Sequence, residues 1–132
     1  MNGTVKEWIA KAEEDFDVAQ LAMCAPGRPR YDAVCFHAQQ CIEKLMKGLL
    51  VHRRTKPPLT HNLGQLADLI APFHPETLFP VKELRFLTRV GAGFRYPGES
   101  ADQGDAATAI AICSRLRETL LRLLNGGKLP RT

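Results

Sequence analysis

The sequence predicts an all-α protein, an up-and-down antiparallel bundle of three long helices and two shorter ones. Apolar residues recur every three or four positions in five segments, which is the period of a helix with one buried face. No segment alternates apolar and polar residues for long enough to form a strand. A chain of 132 residues can bury one core without a metal or disulfide. We therefore expect one domain over residues 1–132, with a core from about 4 to 125 and a frayed tail from 126 to 132.

The first predicted helix begins at Thr4, which is spaced from Glu7 as in a capping box. Its apolar stripe runs as far as Met23, and Ala25-Pro26-Gly27 ends it because proline disfavours a helical predecessor. The turn that follows is short, so we expect the first and second helices to be antiparallel neighbours.

The second helix, residues 31–51, has the most regular pattern in the chain, and the other helices are expected to pack on it. Its polar residues lie roughly opposite its apolar stripe, and Glu43 and Lys47 form an i,i+4 acid-to-base pair. Phe36 lies among these polar neighbours, so either another helix or a second subunit is expected to cover it. The apolar stripe consists of Val34, Ala38, Cys41, Ile42, Leu45 and Leu49.

The sequence predicts three further helices after the second one. A short helix at 61–71 is capped by Thr60, and a second short helix runs from Glu76 or Pro80 to Val90. The last helix starts at Ser100 or Asp102 and extends to residue 124. The apolar residues expected to face inward in the two short helices include Leu63, Leu66, Leu69, Ile70, Leu78, Val81 and Leu84.

Composition narrows the class of protein. The net charge of +4 fits an anionic partner such as nucleic acid or nucleotide, and equally a solvated basic surface. The four cysteines form no CxxC motif, and Cys35, Cys41 and Cys113 fall at core-type positions, as expected for free thiols in a reducing compartment. The chain shows neither a signal-peptide pattern nor an apolar run long enough to cross a bilayer. We therefore expect a cytoplasmic protein with no membrane association.

Arg54 and His61 form an Arg-x6-His pair that could carry chemistry. A histidine that moves protons and an arginine that stabilises a phosphorane would be sufficient for metal-independent RNA cleavage. Alternatively, His61 is an ordinary residue at a helix start, and basic residues at helix ends are ordinary solubility features. Both interpretations stay open at this point.

The segment around Arg95 combines a cation with two aromatic residues. Phe94 or Tyr96 could stack on a base while Arg95 holds a phosphate. The alternative is that these aromatic residues anchor a loop on the bundle.

A metal site is not expected. His37 and Cys41, with Cys35 close by, could form half of a zinc site, but no matching second pair of ligands occurs. The sequence also lacks the glycine-rich phosphate-binding motifs of nucleotide-binding folds. No cofactor is therefore predicted.

Four fragments in a fixed order carry a family resemblance. They are Trp8, Ala12 and Asp15; Tyr31, Phe36, His37, Gln40, Glu43, Lys44 and Lys47; Thr60-His61-Asn62-Leu63; and Arg95-Tyr96-Pro97. In this combination the chain resembles the HEPN domain (higher eukaryotes and prokaryotes nucleotide-binding), and specifically the branch ending in an RYP motif. The resemblance covers residues 8–124.

The resemblance implies a helical bundle that pairs into a homodimer and binds nucleotide or RNA. Many relatives partner a minimal nucleotidyltransferase in a toxin–antitoxin system. The residues expected to bind nucleotide or phosphate are Arg95, Tyr96, Lys44, Lys47, Arg54 and His61.

Active members of the family are metal-independent ribonucleases that use Arg-x4-6-His, placed before or at the start of the last long helix. In this chain Arg95 occupies that place, and the residues YPGESAD that follow contain no histidine. A binding module is therefore the favoured hypothesis. The alternatives are a ribonuclease toxin with His61, Arg54 or Arg95 as catalytic candidates, and a structural assembly subunit that binds no ligand.

Overall fold

The computed structural model describes residues 3–92 and 97–126, and within these ranges all regular structure is helical. The five helices are α1 (Gly3–Met23), α2 (Tyr31–His52), α3 (Leu63–Ile70), α4 (Val81–Ala92) and α5 (Gln103–Leu124). The prediction of an all-α bundle with three long and two shorter helices is confirmed.

α2 is the centre of the bundle because it contacts each of the other four helices. Between Cys41 and Leu50 every residue except Lys44 is buried. Neighbouring helices therefore cover the polar stripe of α2 as well as its apolar stripe. The sequence pattern placed the polar residues opposite the apolar ones, but it did not show that they are buried.

Three helix starts differ from the sequence predictions, and one of them is that of α4, which begins at Val81, after both predicted starts at Glu76 and Pro80. α1 begins at Gly3, one residue before the predicted cap at Thr4. α3 is capped by Asn62, whose side chain accepts a hydrogen bond from the backbone N–H of Gln65. Thr60, the predicted cap, instead accepts a hydrogen bond from the Asn62 N–H and donates one to the Gln65 side chain.

The start of α5 confirms one of the two predicted caps. Asp102 accepts from the Asp105 N–H, and the Asp105 carboxylate accepts from the Asp102 N–H. This reciprocal pair satisfies two backbone donors that a helix start would otherwise leave without partners.

Three apolar residues predicted to face inward are exposed. Leu69 is 40% exposed, Leu78 is 90% exposed and Val81 is 65% exposed. Leu78 precedes the first residue of α4, so the helical pattern counted there included residues of the connecting segment. Phe36 is 45% exposed, so the described helices cover it only in part.

Glycines permit two close approaches of helices to α2. A Cβ atom added to Gly48 would lie 3.0 Å from the Trp8 Cβ, and one added to Gly91 would lie 2.4 Å from the Gln39 Cβ. α1 and α4 therefore pack closely against α2 at these positions. The Gly91 contact places the end of α4 directly over the polar stripe of α2.

Candidate functional site

A buried carboxylate, Glu43, is the centre of a polar cluster between α2 and the start of α3. Its Oε1 accepts a hydrogen bond from Gln39 Nε2 at 3.0 Å and lies 2.8 Å from His61 Nδ1. Its Oε2 accepts from Lys47 Nζ at 3.0 Å. Both carboxylate oxygens therefore have partners, although Glu43 is only 4% exposed.

The sequence builds this cluster by helical spacing. Gln39, Glu43 and Lys47 are four residues apart along α2, so their side chains follow one another on one face. Gln39 Nε2 also donates to the backbone carbonyl of His61 at 3.0 Å, and Gln40 Nε2 donates to Gln39 Oε1 at 2.8 Å. His61 is thus held through both its side chain and its main chain.

The electrostatics of the cluster favour an ionised Glu43. Burial alone would raise the Glu43 pKa, but hydrogen bonds from Gln39, His61 and Lys47 and the charge of Lys47 outweigh it. The net result is a pKa below the ordinary value for glutamate. Glu43 is therefore an anion at neutral pH and accepts from all three partners.

This arrangement defines the chemistry available to His61. An ionised carboxylate can only accept hydrogen bonds, so His61 Nδ1 must donate to Glu43 Oε1. A neutral His61 therefore carries its proton on Nδ1 and has a lone pair on Nε2. The His61 side chain is 72% exposed, and its Nε2 forms no hydrogen bond within the described part of the chain. In the neutral form Nε2 can accept a hydrogen bond or a proton from a hydroxyl group, whereas only the protonated imidazole can donate from Nε2 to a phosphate oxygen.

A second charged cluster joins α1 to α2. Asp15, which is buried, has Oδ1 2.8 Å from His37 Nδ1 and accepts from Lys44 Nζ through Oδ2 at 2.5 Å. The His37 ring packs edge-on against Phe36 with ring centres 5.1 Å apart. Lys44, predicted to bind phosphate, is therefore engaged by a carboxylate inside the bundle.

The connection between α2 and α3 is basic and exposed. Arg53 Nη2 donates to His74 Nε2 at 3.3 Å, and the Arg53 guanidinium lies 5.9 Å from the centre of the Phe73 ring. Arg54 and Lys56 are exposed, and neither side chain forms a hydrogen bond or ion pair with the described residues. Arg53 thus has a structural role, whereas Arg54 and Lys56 face solvent.

The predicted site residues fall into separate groups. Lys47 and His61 meet at Glu43, whereas Lys44 belongs to the Asp15 cluster. Arg54 and His61 are not joined by a hydrogen bond, although both are exposed. The predictions for Arg95 and Tyr96 lie outside the described residues, as does that for Phe94.

Glu43 and Gln39 belong to the site, although the sequence pattern did not identify them as site residues. Both were assigned to the polar face of α2, but not to the site. The i,i+4 spacing of Gln39, Glu43 and Lys47 was the available signal, and it did not show that His61 closes the cluster from another segment.

The cysteines behave as expected for core residues. Cys35, Cys41 and Cys113 are buried, and only Cys24 is exposed. Among residues 3–92 and 97–126, no three histidine, cysteine, aspartate or glutamate residues are grouped so as to hold a metal ion. No helix in the same ranges is long and apolar enough to cross a membrane.

The fold and the cluster define a class of protein: a helical bundle whose buried central helix holds an exposed histidine through an internal carboxylate. The chain matches the HEPN domain model over residues 5–124 and belongs to the HEPN domain family. This confirms the family that the four sequence fragments indicated.

Two solved structures share this fold. An archaeal HEPN homologue, ST0689, is 25% identical, with a TM-score of 0.67 over 91% of this chain and 97% of that one. The protein TT1696 from Thermus thermophilus is 20% identical, with a TM-score of 0.74 over 92% of this chain and 98% of that one. A search of curated proteins found no significant match.

Proposed function

We propose that this HEPN-family protein binds nucleotide or RNA through phosphate contacts on the face where α2 meets the start of α3. The observation that carries the proposal is the exposed His61 imidazole, held 2.8 Å from the buried Glu43 carboxylate. In its protonated form this imidazole donates from Nε2–H to a phosphate oxygen, and because Glu43 already holds the ring, binding does not have to order a flexible side chain first. Exposed Arg54 and Lys56 supply further positive charge on the connection between α2 and α3.

The remaining predicted ligand-binding residues have distinct roles in this proposal. Arg95 would hold a phosphate and Tyr96 would stack on a base, as the sequence suggests. Lys44 and Lys47 act indirectly, because each is bound to a buried carboxylate. They support the face of α2 that carries the site.

Equilibrium binding of a fluorescent nucleotide and a short single-stranded RNA tests the proposal. Arg95→Ala and His61→Ala should each weaken binding by about tenfold, which corresponds to the loss of one charge-assisted contact. Lys11→Ala, which removes an exposed charge from α1, is the matched control and should bind as the wild type does. No binding by the wild type, or equal binding by all four proteins, would refute the proposal.

The same proposal includes a homodimer, one domain over residues 1–132 and a cytoplasmic location. Phe36 is the candidate dimer contact because its ring is 45% exposed on the central helix. Light scattering should show a dimer for the wild type and a shift toward monomer for Phe36→Glu.

A partnership with a minimal nucleotidyltransferase, as in toxin–antitoxin pairs, is proposed from the family resemblance and is testable by co-expression.

A ribonuclease activity is the second candidate. It is favoured by the Glu43–His61 pair, because a carboxylate at Nδ1 fixes the tautomer in which Nε2 can act as a general base. Nε2 would then take the proton from a ribose 2′-hydroxyl as that oxygen attacks the adjacent phosphorus. A 2′,3′-cyclic phosphate forms, the bond from phosphorus to the 5′-oxygen of the next nucleotide breaks, and that oxygen takes a proton from solvent or from the imidazolium. This function predicts RNA cleavage that persists in chelator and is lost in His61→Ala. Pure protein that leaves several RNAs intact would exclude it.

A further inference from the structure

A groove between α3 and α4 opens on the surface of the bundle and contains a cavity of about 610 Å³. Its α3 side is lined by the small residues Gly64, Ala67 and Ala71, which leave space between the two helices. Neither Glu43 nor any residue hydrogen-bonded to its carboxylate lines this α3–α4 groove. The groove is therefore a separate surface from the polar cluster described above.

The α3–α4 groove has an exposed apolar border. Leu78 is 90% exposed and Val81 is 65% exposed, and both line the groove. Leu78 also lines a second cavity, of about 430 Å³, on the side of α5. The apolar surface thus continues beyond the groove, as at sites where proteins bind each other. A small molecule confined to the groove would leave part of this surface in water, whereas a protein segment can cover all of it.

Two arginines give the α3–α4 groove a positive charge. Arg85 and Arg89 line it and are exposed, and neither forms an ion pair with the described residues. The Arg89 guanidinium lies 5.4 Å from the centre of the Phe86 ring. Asp68 is the one acidic residue among the described lining residues. Since Arg85 and Arg89 are four residues apart on α4, they are offset by about 6 Å along its axis, and carboxylates four residues apart on a second helix have the same offset.

The other polar side chains of the groove are engaged within the protein. The Thr88 hydroxyl donates to the Leu84 carbonyl at 2.8 Å and accepts from the Leu63 N–H at 3.1 Å. Asn62 Oδ1 accepts from the Gln65 N–H at 3.1 Å. The groove therefore offers a nucleobase little besides the two guanidinium groups. An apolar face flanked by carboxylates matches it better, both in shape and in charge.

We propose that the α3–α4 groove is a docking site for an amphipathic helix of a protein partner. The apolar face of that helix covers the exposed leucine and valine, and acidic residues four positions apart pair with Arg85 and Arg89. A second copy of this chain using the same face is disfavoured, because a two-fold axis would bring the arginines of both copies together. The docking site does not depend on nucleotide or RNA binding.

A synthetic peptide of leucine and glutamate provides a defined probe. It has about 15 residues, with leucines at helical spacing along one face, and its counterpart carries lysine at every glutamate position. In fluorescence anisotropy, the acidic peptide should bind the wild-type chain at least about tenfold more tightly than the basic one. Its affinity should fall as salt is added, because the arginines are exposed.

Substitutions on the exposed face of α4 locate the binding site. Val81→Glu places a carboxylate in the apolar contact and should weaken binding of the acidic peptide by about tenfold. The double variant Arg85→Ala, Arg89→Ala removes both charges and should weaken it by about five- to tenfold. Lys82→Ala is the matched control, because this exposed cation of α4 does not line the groove. It should bind within about twofold of the wild type.

The outcomes separate this inference from the proposed function. Equal affinity for the two peptides, or no loss of affinity in Val81→Glu, would refute the docking site. A shift of Val81→Glu toward monomer in light scattering would refute it too, because a second copy would then cover the groove. Loss of RNA binding in Val81→Glu would assign the groove to nucleic acid instead. A chain that binds the acidic peptide but no RNA would refute the proposed function alone.

Discussion

Glu43 Oε1 and His61 Nδ1 are 2.8 Å apart, and this hydrogen bond joins a side chain inside the bundle to one at its surface. Glu43 is almost completely buried, whereas the His61 side chain is 72% exposed. The pair therefore connects α2 to the segment that starts α3, and it fixes an imidazole where a ligand can reach it. The stability of the bundle and the geometry of the site depend on the same carboxylate.

Removing the Glu43 carboxylate should destabilise the protein strongly. In Glu43→Ala the Lys47 ammonium, whose side chain is only 9% exposed, would lose its carboxylate partner. Breaking a buried ion pair by removing one partner costs about 3–5 kcal/mol. We expect the free energy of unfolding in urea to fall by that amount.

The matched control for this prediction is Glu83→Ala. Glu83 pairs with Arg115 between α4 and α5, and the pair is largely exposed. Its removal should cost about 0–1 kcal/mol. Similar losses in the two variants would contradict the importance assigned to Glu43.

Acid should weaken the Glu43 cluster. The Glu43 pKa in the folded protein is lower than its ordinary value of 4.5, so the unfolded chain takes up this proton first as the pH falls. The stabilisation is therefore complete well above pH 4.5 and decreases as the pH drops below this value toward the folded-state pKa. The difference in unfolding free energy between wild type and Glu43→Gln, measured by urea titration, should shrink in this range. A difference that stays constant down to the lowest pH at which both proteins fold would refute the prediction.

Gly91→Ala should destabilise the packing of α4 on α2. The added Cβ would lie 2.4 Å from the Gln39 Cβ and 2.6 Å from its Cγ, so Gln39 or α4 must move. Overpacking of this kind costs about 1–3 kcal/mol, even though alanine favours helix more than glycine does. Thermal unfolding should show the loss.

Gly3→Ala provides the comparison for Gly91→Ala. Gly3 is also helical, but an added Cβ would meet no atom within 4 Å. Its stability should stay within about 0.5 kcal/mol of the wild type. Equal stability of the two variants would mean that the close approach at Gln39 is absent in solution.

The cysteines should differ sharply in reactivity with a thiol reagent. Burial, with smaller contributions from the Asp105, Asp32 and Asp102 charges, raises the Cys35 pKa to about 12. A hydrogen bond with the Cys113 thiol, followed by burial, raises the Cys41 pKa. Because the thiolate is the reactive form, Cys24, which is exposed, should react first in the native protein.

A chromogenic disulfide reagent measures this difference directly. One equivalent should react rapidly in buffer, and all four of the cysteines should react in denaturant. Cys24→Ser should abolish the rapid phase. A rapid phase that persists in this variant would show that a core thiol is accessible.

The helices and their order could be predicted because they depend on local patterns. The apolar period along residues 31–51 predicted α2 to within one residue of its observed end at His52. Asp102 was one of two predicted caps for α5, and its spacing from Asp105 suits reciprocal capping. Both features are determined by residues that are close together in the sequence. The family fragments could be recognised for the same reason, because each is a short stretch of the chain.

The ends of the short helices were harder to predict because several candidate residues were close together. Thr60 and Asn62 can both cap a helix, and only the structure shows that the Asn62 side chain accepts from Gln65 N–H. Leu78 continued the apolar pattern of α4 but lies before its first residue, at 90% exposure.

The sequence by itself determined the five helices, the central position of α2 and the membership of the HEPN family. The tertiary structure decided that the polar stripe of α2 is buried and that Glu43 joins Lys47 to His61. The physical reason is that helical period places a residue on one side of its own helix, whereas burial depends on which other helices cover that side. His61, 18 residues from Glu43 along the chain, reaches the carboxylate only because the connection folds back over α2.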